Sequence, residues 1–122
     1  QQGMYVILNL HHEEWINRSD FATAYEEMAP QLKQMWTQIA TYFADYDQHL
    51  IFEGMNEPRA ANSGALEWNG NEACYEVVNK LDNDFIETVR SVDSQGHPSA
   101  DDSGLCSFCI FFHLWLFGDT GR

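Results

Sequence analysis

An amide and a carboxylic acid stand side by side at Asn56-Glu57, after the apolar run Leu50-Ile51-Phe52 and before Pro58. A glutamic acid partly desolvated by neighbouring aromatics has a raised pKa and can protonate a leaving oxygen. An asparagine side chain both donates and accepts, so it can hold a substrate hydroxyl beside that acid. A second titratable set, His11-His12-Glu13-Glu14, follows another apolar run, residues 4–10. The structural alternative for Glu57 is a solvated loop carboxylate or a cap for the segment beyond Pro58. The preceding Asn, the following Pro and the strand-end position together favour catalysis. Adjacent histidines point to opposite sides of an extended chain. His11 and His12 with Glu13 and Glu14 are therefore expected to orient by hydrogen bonds, and no metal site is expected. Trp15 and Trp68 can each stack on a ligand ring or pack on neighbouring loops; packing is the reading for Trp15, and both readings stand for Trp68.

These groups need elements to hold them. Residues 4–10 are an almost continuous apolar run of the kind buried on both faces of a parallel sheet. A second strand is expected over 50–55, where Leu50 to Phe52 are β-formers, Gly54 removes bulk just before the end, and Pro58 lacks the N–H of a continuing ladder. Between them, Asn17-Arg18-Ser19-Asp20 carries capping residues for a short helix from Phe21. Pro30 suits the first turn of a second helix. Its apolar face is Leu32, Met35, Trp36, Ile39, Tyr42 and Phe43, and Asp45-Tyr46-Asp47 ends it. Residues 60–70 read as a loop. Asn71 then caps a third helix with Val77, Val78, Leu81, Phe85, Ile86 and Val89 facing inward. The order is β-α-β-α, with connections long enough for parallel, right-handed crossovers. Glu53, placed differently from Glu57 by alternation, reads as a buried, hydrogen-bonded structural carboxylate.

The chain has 122 residues, enough for one core. A net charge of -13 with only six Lys and Arg excludes nucleic acid and an anionic membrane as partners, because both need a basic footprint. The four Trp among many aromatics exclude disorder as the meaning of that acidity. Cys74, Cys106 and Cys109 lack the second pair or His partner of a zinc site, so no metal or redox role is expected. No signal peptide opens the chain, which reads as starting in mid-domain. The apolar run at 105–117 is about half a membrane span and contains His113, which speaks against a transmembrane segment. After Val92 the register breaks: a polar stretch leads to this run, too apolar for a surface helix and too long for a typical strand. Residues 93–122 are therefore expected to be a tail foreign to the domain formed by residues 1–92.

A strand ending in Asn56-Glu57-Pro58-Arg59, preceded by one ending in His11-His12-Glu13, resembles glycoside hydrolase family 5, the endoglucanase (cellulase) family. The likeness runs over residues 3–92 and includes the helix around Met35-Trp36-Thr37-Gln38-Ile39-Ala40. It implies strands three and four of a (β/α)8 barrel with their helices, about a quarter to a third of such a barrel, which typically needs about 250 residues. It implies a retaining endo-β-glycosidase acting on β-1,4-glucan without a cofactor. Carried over by position, Glu57 matches the acid/base and Asn56 the neighbour that contacts the 2-hydroxyl. His11 matches the active-site histidine of the third strand, and His12 lines the same subsites. Trp68 joins these as a substrate-binding candidate, and Arg59 resembles a common companion. The nucleophile of the family lies on a later strand, and Glu67, Glu72, Glu76 and Glu87 all fall in the loop or helix after the second strand. The isolated chain is accordingly expected to be inactive, and the whole protein to be secreted and to bind a β-glucan. Two other functions fit the same residues. One is a non-catalytic carbohydrate-binding remnant using His11, Asn56 and Trp68; the other is a metal-dependent hydrolase built on His11, His12 and Glu57.

Overall fold

The structure, a computed structural model, describes residues 3–11, 13–56, 58 and 72–92 and the backbone of 61–62 and 65–66. Strand β1 is Val6–Asn9 and strand β2 is Leu50–Glu53. They pair in parallel with Val6 opposite Leu50 and Asn9 opposite Glu53, so their C-terminal ends lie level at one edge. Leu50 and Phe52 are buried and alternate with half-buried Ile51 and Glu53, as a strand with one helix-covered face requires. Both strands are shorter than the runs that code for them. In β2 the ladder stops at Glu53, and the Gly54 carbonyl accepts a bond from the Trp36 indole instead.

Helix α1, Tyr25–Tyr42, and helix α2, Glu72–Val92, cover the buried face. The inward stripe of α2 is the expected one: Val77, Leu81, Phe85 and Val89 are buried at four-residue spacing, with Val78 and Ile86 half-buried beside them. Helix α1 departs from expectation at both ends. It begins at Tyr25, which puts Pro30 inside the helix rather than in its first turn. Pro30 is exposed, so the hydrogen bond it forfeits faces water. Glu26 and Glu27 favour this earlier start at the positive end of the helix dipole. Met28 and Ala29 extend the buried stripe, and Tyr42 is 77% exposed rather than core. The short helix expected from Phe21 is a single 3-10 turn, Phe21–Thr23, with no side-chain cap. The Asp20 carboxylate is drawn off to Arg18, whose guanidinium it meets twice.

The core joins Trp36, Phe52, Phe21, Met28, Leu32, Leu81 and Val89, all under 2% exposed. Burying side chains of this size contributes about 1.5–3 kcal/mol each. Trp15 packs against this core, as expected of it. The helices are also tied by polar groups. Asp84, 7% exposed on α2, accepts from the Tyr25 hydroxyl at 2.8 Å and pairs with Lys33 Nζ at 2.6 Å. In the stretch expected to be all loop, β3 (Ala61–Asn62) and β4 (Ala65–Leu66) form a short antiparallel pair. Among the described residues no helix is long and apolar enough to cross a membrane. Asn71 and residues 93–122, including Cys106 and Cys109, lie outside the described residues.

Candidate functional site

The site is built where β1 and β2 end side by side. Each strand carries one polar residue, Asn9 and Glu53, and the register sets them opposite each other. Asn9 Nδ2 donates to Glu53 Oε2 at 2.7 Å. Glu53 is thus a hydrogen-bonded carboxylate as expected, though half-buried rather than buried, on the face turned away from α1 and α2. The partner was readable in principle: each strand has a single polar side chain, and two such groups on one face tend to pair.

Beyond the last paired residues the chains stay joined. The Asn56 N–H donates to the Leu10 carbonyl at 2.8 Å, so the segments leaving the two strands run together for one more step. Leu10 and Met55, 6% and 8% exposed, anchor the two sides of this link in the core. His11 follows Leu10 directly and is exposed, while Asn56 is half-buried. The structure therefore brings the His11 and Asn56 segments together at one edge. His12, Glu57, Arg59 and Trp68 lie outside the described residues. Glu57 is joined by its peptide bond to the pinned Asn56. The Trp15 indole donates to Glu13 Oε2 at 3.3 Å.

Two core residues shape this edge and carried no functional signal in the sequence. Trp36 on α1 donates its indole N–H to the Gly54 carbonyl at 3.1 Å. Phe85 on α2 lies so close to Gly54 that a β-carbon there would sit 2.9 Å from its Cδ1 and 3.0 Å from its Cγ. Glycine is needed at 54 for room against α2. Glu72, Glu76 and Glu87 are exposed along α2, none at a strand end.

Residues 1–98 match the model of the cellulase family, glycosyl hydrolase family 5. Endoglucanase B of Ruminococcus albus is 48% identical over 89 residues, which cover 73% of this chain and 21% of that protein. Among solved structures, the GH5-4 broad specificity endoglucanase from Ruminococcus flavefaciens is 47% identical with a TM-score of 0.72, over 79% of this chain and 28% of that one. A GH5 xyloglucan-specific endo-beta-1,4-glucanase from a metagenomic library, solved with cellotriose, is 39% identical with a TM-score of 0.66, over 74% of this chain and 26% of that one. The matched part of the chain thus spans only 21–28% of the length of these relatives.

Proposed function

This chain belongs to glycosyl hydrolase family 5 and is a piece of its (β/α)8 barrel, and we propose that it supplies the acid/base edge of a retaining endo-β-glycosidase that cleaves β-1,4-glucan. Glu57 protonates the leaving glycosidic oxygen and then, as a base, activates water for the second step. Asn56 holds the 2-hydroxyl of the sugar at the cleavage point. Its backbone is fixed by Leu10, which leaves its side chain amide to the ligand. His11, His12 and Trp68 line the subsites on either side. The nucleophile, a second glutamate about 5 Å from the first, comes from a later barrel strand outside these 122 residues.

The observation that carries this reading is the level, hydrogen-bonded end of β1 and β2, with His11 on one strand's exit and Asn56-Glu57 on the other's. Barrel enzymes place their chemistry at that edge. The names of the relatives, endoglucanases and a xyloglucan-specific endo-beta-1,4-glucanase, support a glucan substrate. Residues 1–92 form the catalytic portion, and 93–122 add nothing to the site. A polymeric glucan is too large to enter a cell, so the enzyme works outside it. In the complete protein, Glu57→Gln keeps the fold and removes the proton donor. Hydrolysis of cello-oligosaccharides should fall roughly 10²–10⁴-fold, while substrates with very acidic leaving groups are spared at the glycosylation step. Near wild-type hydrolysis of a cello-oligosaccharide by this variant would refute the assignment.

A further inference from the structure

Strand ladders satisfy backbone groups only as far as they run, and β2 stops one residue before Gly54. The Gly54 carbonyl is buried and needs a partner. It finds one in the indole of Trp36, 3.1 Å away and itself 0% exposed. The Trp36 ring is wedged edge-on between Phe52, at 5.5 Å, and Phe85, at 4.6 Å between centroids, so its N–H has one direction to point. Phe85 closes the space at the Gly54 α-carbon from the other helix. Two residues on, the Leu10 carbonyl holds the Asn56 N–H. Side chains from α1 and α2 thus hold Gly54, and the residue that follows β1 holds Asn56, in a segment that in most proteins is a free loop. A phenylalanine at 36 would keep an aromatic ring in the core, though a smaller one, and only the indole also meets the carbonyl.

We propose that Trp36 is a positioning residue for the acid step. Its N–H fixes the peptide plane at Gly54, and with it the direction in which the chain leaves β2 and presents Asn56 and Glu57. This rests on the reading of Glu57 as proton donor. A displacement of about 1 Å at a reacting group can cost about 10²-fold in rate, so a tether three residues from the acid is close enough to matter.

The test is Trp36→Phe in the complete enzyme, with kcat/KM measured on aryl β-cellobiosides whose leaving phenols span a wide range of acidity. A misplaced acid harms the poor leaving groups, which need the proton, and spares the good ones, which do not. The expected result is a loss of about 10- to 10²-fold on the least acidic phenol and little on the most acidic. The dependence on leaving-group pKa then steepens toward that of Glu57→Gln. Val89→Ala, a buried substitution on the other helix, α2, serves as the control for general loosening and should lower all substrates alike. If Trp36→Phe does not fold, Gly54→Ala tests the same peptide from the Phe85 side. A flat loss, or none, across the series in a folded variant, with Glu57→Gln steep, overturns the positioning role and leaves the acid assignment standing. A flat series for Glu57→Gln overturns both.

Discussion

Adding a single methyl group at Gly54 should destabilise the protein, although alanine usually stabilises relative to glycine. The added β-carbon would lie 2.9, 3.0 and 3.4 Å from Phe85 Cδ1, Cγ and Cβ, where ordinary contacts begin near 3.4 Å. Phe85 must retreat by about half an ångström, but it is 4% exposed and its ring is stacked edge-on against Trp36. Trp36 in turn cannot follow without stretching its bond to Gly54 itself. Overpacking of this kind costs about 1–3 kcal/mol. Gly54 has no left-handed backbone to lose, so the alanine also gains the usual ~0.4–1 kcal/mol from a stiffer unfolded chain. The net expectation is a loss of about 1–2 kcal/mol, measured by denaturant unfolding of the complete protein as a fall in midpoint at constant slope. A double-mutant cycle with Phe85→Leu should return about 1 kcal/mol of favourable coupling, because the smaller side chain makes the room. Unchanged or raised stability in Gly54→Ala, or zero coupling in the cycle, would refute the argument that Phe85 dictates glycine at 54.

Two further outcomes follow from the helix pair. Tyr25→Phe removes the donor to Asp84 and should cost about 1–2 kcal/mol at neutral pH. The hydrogen bond to Asp84 raises the Tyr25 pKa above its ordinary 10.0, so the folded protein holds this proton more tightly. Wild-type stability should therefore fall as pH rises through 10, and the Phe variant should lack that component in a pH-dependent melting series. Asp82, half-buried on α2, is pushed up by burial from 3.8 to about 6. It costs stability progressively from pH 3.8 to 6, so Asp82→Asn should raise Tm at pH 7 and have no such advantage below pH 3.8.

Much of the fold is legible in the sequence because the cores of α2 and β2 repeat at their own periods, whereas β1, read as buried on both faces, leaves Val6 and Ile7 exposed. The α2 stripe of Val77, Leu81, Phe85 and Val89 needs only the helical repeat, and β2 needs only Leu50 to Phe52 before a glycine. The start of α1 is misread when Pro30 is taken as its first turn, although Tyr25, Met28, Ala29 and Leu32 already show helical spacing through the proline. An exposed proline within a helix loses a bond that water replaces, so the stripe outweighs it. The paired strand ends, His11 on one and Asn56 on the other, are visible as polar stops after apolar runs. The groups that hold them are not. Trp36 and Gly54 are 18 residues apart, Asn9 and Glu53 are 44 apart, and Tyr25 and Asp84 are 59 apart. None of these contacts follows from local periodicity; each depends on the strand register and on how the two helices lie across the sheet.

Whether the edge formed by β1 and β2 delivers Glu57 to a glycosidic oxygen can be seen in a crystal structure of the complete protein with a cello-oligosaccharide spanning the cleavage point. The Glu57 carboxyl should lie within about 2.6–3.2 Å of the bridging oxygen, with the Asn56 amide on the neighbouring 2-hydroxyl. A second carboxyl from a later strand should stand about 5 Å from the first. A glucan seated away from the β1–β2 edge, or a second carboxyl about 6.5–9.5 Å distant as in inverting enzymes, would contradict that arrangement.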